Sequence, residues 1–458
     1  MKKLWGSRFK GKSDPLADQF SFSISYDYRL AKYDCLSGIA HAKMLGATKI
    51  ISTKETAKIT LGLTKILKQI EKGTFKYNPR SEDIHTHIQS VLKNMIGDAA
   101  DKLHTARSRN DLIVGDMKLY CMDEIQTIIR LLTTLQKTIV QTAKKYESVI
   151  IPAYTHLQTA QVVLLPHFLL AYVEMIERDK GRLFDAHKRT NSMPLGSCAL
   201  SGTSLPINRH ALAKSLNFTS VTNNSIDSVS DRDFIAEALA AIAIAGMHFS
   251  RIAEDLILWT TAEFNFISLD ASLCTGSSIM PHKKNPDVLE LIRGETATLY
   301  ANLNRILVLL KGLPLTYNRD LQLDKPALFE SVEKMKIMTQ LLTKTFATLK
   351  VNPSTLSRAT QSQYLYSVDI MEYLIKKGVS YRQAHDIVGK MVKECLDHGK
   401  DLNTLSESEL KKYHPKLGLD VKKLLNAQTS VTIKKSFGST NPALVNQQIK
   451  RWQKILGK

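Results

Sequence analysis

The amino-acid pattern predicts an all-α protein organised around a long central helix bundle, and three observations carry that prediction. Residues 116 to 151 contain neither Gly nor Pro, and Leu119, Met122, Ile125, Ile128, Ile129, Leu132, Leu135 and Ile139 recur at three- and four-residue spacing, the period of one helix face. Four further runs of long-helix character follow. Strand signals are few and short, as in Val149-Ile150-Ile151 and Ser220-Val221-Thr222.

The first long helix should end at Pro152, which cannot continue it. A second spans about 160 to 190 and tolerates Pro166 near its start. A third opens near Ser230, where Ser230 to Asp233 has the form of a capping box with Asp in place of Glu, and runs to about Glu263 with Gly246 its only breaker. The fourth begins at Asn285-Pro286-Asp287, a cap residue, a proline at the first helical position and an acid in the first turn, and reaches about Lys311. The fifth follows Lys325-Pro326 and ends near 350. Helices of this length must bury faces against neighbours or other subunits, so oligomerisation is expected.

A chain of 458 residues can bury a large core and should form about two to four units. Boundaries are expected near 111 and 360: an N-terminal helical domain over 1–111, the long-helix bundle over 112–360, and a small C-terminal helical domain over 361–458, which Gly378, Gly399, Pro415 and Gly418 interrupt. No signal peptide is expected, because Gly6, Arg8, Lys10 and Lys12 break the N-terminal stretch at once. No membrane span is expected either: the most apolar stretches, around 162–176 and 235–249, carry His167, Glu174, Glu237 and His248.

Cys35, Cys121, Cys198, Cys274 and Cys395 are odd in number and never form a Cys-x-x-Cys pair, which argues against a disulfide framework or zinc knuckle and fits a reducing, cytoplasmic setting. The net charge of +20 comes from scattered lysines not interleaved with aromatics, the pattern of a solvated surface rather than a nucleic-acid groove. A metal site would have to use His85 and His87, or His104 with Asp111, and no further ligand stands at a recognisable spacing. No Gly-rich phosphate loop is present. Neither metal nor cofactor is expected.

The most informative stretch is Thr275 to Glu290, TGSSIMPHKKNPDVLE. A turn at Gly276-Ser277-Ser278 and a helix start at Asn285 would account for its punctuation, but not for Lys283 and Lys284 just before a helix N-terminus, which repels cations and attracts anions. Lys283, Asn285 and the free N–H groups of that helix make a carboxylate site, which a hydroxyl-bearing loop could close. A second cluster, His104 to Asp111 (HTARSRND), offers Arg107 and Arg109 as bidentate carboxylate partners and Ser108 and Asn110 as hydrogen-bonding groups; by itself it could equally be a basic helix cap. Tyr154-Thr155-His156-Leu157-Gln158, Asp227 to Asp233 (DSVSDRD) and Tyr317 to Lys325 (YNRDLQLDK) are each ordinary polar loops when taken singly.

Together with LWGSRF at 4–9 and SISYDYRL at 23–30, these five segments resemble the argininosuccinate lyase family of the fumarase and aspartase superfamily, in order and across nearly the whole chain. GSSIMPHKKNP alone is specific only to the superfamily. The tail matches best at GVSYRQAHDIVG, 378–389.

The resemblance implies a three-domain fold whose central bundle forms a twenty-helix core in a homotetramer, with each active site built from three subunits. It also implies elimination of argininosuccinate to arginine and fumarate, the last step of arginine biosynthesis. By the same resemblance Ser277 is the general base on a mobile loop at about 270–285. His156, paired with Glu290, handles the proton on the leaving-group side. Lys283 and Asn285 contact the carboxylate, while Ser23, Arg107, Ser108, Arg109, Asn110, Thr155, Tyr317, Gln322 and Lys325 match substrate-binding positions, and Asp83 and His85 match a segment near the substrate. The chain departs from the family pattern at Ala106, Leu112, Thr159, Val162, His282 and Leu323, none of which removes an implied catalytic side chain; Ala106 in place of glycine should alter the local backbone. Adenylosuccinate lyase, aspartase or a crystallin-type structural homologue are the alternatives.

Overall fold

The computed structural model describes residues 14–457; the LWGSRF segment at 4–9 lies outside them. All five long helices are present: Arg109–Lys145, Leu165–Thr190, Asp233–Thr260, Asp287–Leu310 and Asp324–Thr348. Several ends differ from expectation, each for a local reason. The first long helix stops at Lys145 rather than Pro152, because β-branched Ile150 and Ile151 enter a strand, Ile150–Thr155, that pairs antiparallel with Gln158–Leu164. That second strand takes the residues expected to open the second long helix, which therefore starts at Leu165 with Pro166 in its first turn.

The capping box expected at Ser230 does not form. Ser230 closes a short helix, Ser225–Ser230, and the Asp231 carboxylate accepts the Asp233 N–H at 2.9 Å instead. The fourth long helix starts at Asp287, with the Pro286 carbonyl accepting from Glu290, so Asn285 is not its cap. Asn285 instead pairs with Thr275 through backbone bonds of 2.8 and 3.2 Å.

By compactness the chain divides into two units, whose boundaries fall within the five long helices. The first comprises Met1–Ile129, Gly181–Ile244 and Thr298–Met335. Here a capping box between Ser52 and Glu55 opens the helix Thr53–Glu71, whose Ile59, Leu63 and Ile66 are fully buried along one face, as their spacing requires. The helix Ala31–Ala47 packs on it so closely that a β-carbon at Gly38 would lie 2.9 Å from Leu63 Cδ1. Tyr120 of the first long helix meets Phe329 of the fifth edge to face, ring centroids 4.8 Å apart. Ser192–Met193 and Ser220–Val221 form a short parallel pair.

The second unit comprises Arg130–Lys180, Ala245–Ala297 and Lys336–Lys458. Buried polar bonds tie its helices: Gln136 to the Val173 carbonyl at 3.0 Å, His248 to Asp179 at 2.7 Å, and Thr296 to the Gly246 carbonyl at 3.1 Å. Shorter helices after Pro353 bury their own cluster of Ile370, Leu374, Ala384, Val388, Leu410 and Val421. By length and composition Asp233–Thr260 could cross a membrane, which the sequence reading did not expect, but 61% of its most apolar window is buried inside the protein, as in a core helix.

Candidate active site

The expected site residues fall into two sets, one in each unit. In the second unit the strands Ile150–Thr155 and Gln158–Leu164 pair down to Thr155 and Gln158, which leaves His156 and Leu157 as a two-residue turn. Both have positive φ, 55° and 56°, the combination of a type I′ turn that normally takes Asn-Gly. Non-glycine residues in that region cost on the order of 1 kcal/mol each. The turn places Thr155 and His156, both exposed, at the hairpin tip.

The second element of this set is a loop clasped at its base. The Thr275–Asn285 backbone pair closes it, the Thr275 hydroxyl also bonds the Asp287 carboxylate, and the Lys284 ammonium bonds the Leu269 carbonyl. Between these anchors the loop is largely exposed, Ile279 to 85%. The Ser277 hydroxyl oxygen accepts the N–H groups of Ile279 and Met280 at 3.3 and 3.1 Å, a local turn that leaves its proton uncommitted. Lys283 and Glu290 are exposed. Among the described residues, His156 and Glu290 share no hydrogen bond or ion pair within one chain.

In the first unit Ser23, Asp83, His85, Arg107 and Lys325 are buried, while Ser108, Arg109, Asn110, Tyr317 and Gln322 are half-buried. The Ser23 hydroxyl donates to Asp27 at 2.5 Å, and the other Asp27 oxygen accepts the Ile84 N–H at 3.1 Å. Burial pushes the Asp27 carboxyl up to about 7, against the opposing hydrogen bond from Ser23. Asp83 caps the helix Ile84–Ile96 by accepting the Thr86 N–H at 2.7 Å, and its second oxygen pairs with Arg109 at 3.3 Å. Arg109 also reaches Glu82 at 3.3 Å and the Thr86 hydroxyl at 2.9 Å.

His85 bonds Asp34 at 2.8 Å in the interior and meets His104 edge to face at 5.1 Å. Burial works to raise the Asp34 carboxyl, yet His85 and Arg107 hold it below its ordinary value. Burial and the Arg107 charge push His104 down to about 3, so it is neutral at pH 7. Arg107 turns inward, its guanidinium nitrogens buried and without a hydrogen-bond partner among the described residues. Ala106 adopts φ 56°, a left-handed backbone that a residue other than glycine holds only under strain.

Asp111, absent from the sequence-based site, organises this segment. It accepts the Ser108 N–H at 2.9 Å and, through its other oxygen, the N–H groups of Gly196 and Cys198 at 2.9 and 2.8 Å. Ser108 in turn accepts the Asn110 N–H at 3.3 Å, and the Asn110 amide donates to the Ala199 carbonyl at 3.0 Å. A cavity of about 620 Å³ opens beside it, lined by Arg109, Asn110 and Tyr317 together with Glu82, Arg319 and Ser21. Burial raises the Tyr317 hydroxyl. Gln322 and Arg319 both donate to the Ser21 carbonyl, at 2.9 and 3.0 Å, and Lys325 is buried against Asp324 at 3.0 Å. Glu82 and Arg319 could have been found from sequence only by position, since Glu82 adjoins Asp83 and Arg319 lies within the Tyr317–Lys325 segment.

The two sets offer cations, amides and hydroxyls suited to a multiply anionic substrate, and two groups suited to proton transfer, the half-buried Ser277 and the exposed His156. Among the described residues no cluster of three or more His, Cys, Asp or Glu is placed to hold a metal ion.

Comparison with known proteins extends this picture. Residues 7–299 match a family model described as lyase, and residues 364–432 match one described as argininosuccinate lyase C-terminal. An argininosuccinate lyase of Syntrophus aciditrophicus (strain SB) is 46% identical over 449 residues, 98% of this chain and 95% of that protein. One from Symbiobacterium thermophilum is 44% identical over 458 residues, 100% of this chain and 99% of its own. Among solved structures, an EDDS lyase in complex with formate superposes with a TM-score of 0.84 at 26% identity, covering 98% of this chain and 91% of that one. A class II fumarase from Schistosoma mansoni shares the fold, with a TM-score of 0.75 at 16% identity over 90% of this chain and 93% of its own.

Proposed function

The chain belongs to the argininosuccinate lyase family and cleaves argininosuccinate into arginine and fumarate, and from that premise we propose how its side chains divide the work. Ser277 takes the proton from the carbon next to a succinyl carboxylate. Negative charge then spreads into that carboxylate, where Lys283 and Asn285 stabilise it. The carbon–nitrogen bond breaks, its electron pair leaves with the guanidinium nitrogen, and His156, supported by Glu290, supplies the proton as the double bond of fumarate forms.

Serine is a weak base, so its hydroxyl must be ionised by the cation of Lys283 and by loss of water as the loop closes. The observation that carries this reading is the clasped, exposed loop with Ser277 and Lys283 between the Thr275–Asn285 pair. Ser23, Asp83, His85, Arg107, Ser108, Arg109, Asn110, Thr155, Tyr317, Gln322 and Lys325 form the binding set.

A homotetramer with shared active sites and a three-part division near residues 111 and 360 belong to the same proposal, as does a cytoplasmic setting, which five free cysteines support. Exposed Leu291, Tyr300, Leu307 and Val308 on the fourth long helix, 46 to 65% accessible, support self-association.

Fumarate formation, followed by its ultraviolet absorbance, should be seen with argininosuccinate and matched by equimolar arginine. Release of fumarate from adenylosuccinate or aspartate instead would replace this activity with another of the superfamily, and a folded, inactive protein would favour the crystallin-type reading. Light scattering should give about four times the 51.4 kDa chain mass.

A further inference from the structure

The DSVSDRD segment has no part in the chemistry above, yet it contributes one of the largest fully buried side chains in the protein, Arg232. Its Nε bonds one oxygen of Asp324 at 2.5 Å, and Lys325 holds the other at 3.0 Å. The three side chains are 0, 0 and 2% accessible. Two cations thus share one carboxylate away from water.

Their surroundings deepen the imbalance. The Arg232 carbonyl accepts the N–H groups of Ile235 and Ala236 at the start of the third long helix, and Asp324 opens the fifth, so two positive helix ends face the trio. Asp231, next to Arg232, is taken by Lys118 at 2.8 Å. Asp27 feels the field of Lys325, but its oxygens already accept from Ser23 and Ile84. Arg232 Nη1 donates to the Asp231 and Val229 carbonyls, while Nη2 is buried without a partner among the described residues. Among the described residues the Lys325 ammonium uses one of its three N–H donors, on Asp324.

We propose that Arg232 is a positioning residue for substrate binding: by occupying one oxygen of Asp324 it keeps the Lys325 ammonium on the other, with spare N–H donors and an unbalanced positive charge for a substrate carboxylate. Without Arg232, Asp324 would neutralise Lys325 completely and draw its ammonium in between both oxygens. This explains why a buried arginine and a buried lysine, each costly to desolvate, are kept on one acid. The inference rests on the reading of Lys325 as a carboxylate contact.

The test uses the intact enzyme, with succinate and arginine as separate competitive inhibitors of argininosuccinate cleavage. Lys325→Met should raise Ki for one of them at least about tenfold, and Arg232→Gln should raise Ki for that same one at least about tenfold with kcat within about threefold of wild type. Arg232→Lys, which retains the charge, should restore Ki to within about threefold. Asp324→Glu, which keeps every charge but shifts the carboxylate by one methylene, should raise the same Ki about fivefold and serves if the Gln variant fails to fold. If Lys325→Met weakens an inhibitor while Arg232→Gln and Asp324→Glu leave its Ki unchanged and lower only the melting temperature, Arg232 is structural and the inference falls alone. If Lys325→Met changes neither Ki, the reading of Lys325 falls and the inference with it.

Discussion

The two sets of site residues are built on opposite physical plans. In the first unit Ser23, Asp83, His85 and Lys325 are buried, each bonded to another fixed side chain or backbone group. In the second unit Ser277, Lys283 and His156 sit on a clasped loop and a strained hairpin tip, with few tertiary bonds. A fixed binding surface pays its ordering cost during folding and keeps its donors aimed. A reactive loop must admit substrate and then exclude water, which needs segments of low local stability. On the proposed roles, the contrast sets most of the binding residues apart from the proton-transfer groups.

That separation can be broken most directly at Ser277. Ser277→Ala should lower kcat at least about 100-fold, roughly the worth of a positioned acid–base group, with KM and the melting temperature little changed, since the hydroxyl accepts only two local N–H groups. Steady-state kinetics and a thermal melt check this together. A near-normal kcat would remove Ser277 from its role.

Asp27 tests the buried side of the comparison. Its folded pKa of about 7 lies above the ordinary value of 3.8, so its contribution to stability is present below about pH 4 and is lost as pH rises through 7. Denaturant midpoints of the wild type should therefore carry a component that declines over that window, and Asp27→Asn should flatten it. An unchanged pH profile in the variant would show that burial does not govern this carboxyl.

The smallest effect is expected at Ala106. Ala106→Gly removes the left-handed strain at φ 56° and should stabilise the protein by about 1 kcal/mol, measured as a higher denaturation midpoint, with cleavage activity unchanged. A lower midpoint would mean that the extra freedom of glycine in the unfolded chain outweighs the strain.

Much of the fold was legible from periodicity, because a helix face repeats every three to four residues and the five long runs needed no distant partner to be recognised. The ends were less legible. Residues 150 to 164 form a hairpin because Ile150 and Ile151, which carry a strand signal of their own, find partners in Leu164 and Val163, in a run that looks helical when read by itself. Asn285 looked like a helix cap and became half of a bridge because Thr275, ten residues earlier, competes for its backbone. The loop between Thr275 and Asn285 was recognisable from its composition. Asp111, Glu82, Arg319 and the Arg232–Asp324 pair were not, since an isolated acid or arginine carries no sign of its partner.

Helix content, the five long runs, the clustering of cations before a helix N-terminus and the family itself were determined by the order of residues alone, since each depends on local spacing or on motifs read along the chain. Only the tertiary structure decided which charges are buried, which acid each arginine meets, and that His156 occupies a strained turn. Those outcomes depend on desolvation and on contacts between residues tens to hundreds of positions apart, and the cost of burying an ion is set by its partner in space, not by its neighbours in sequence.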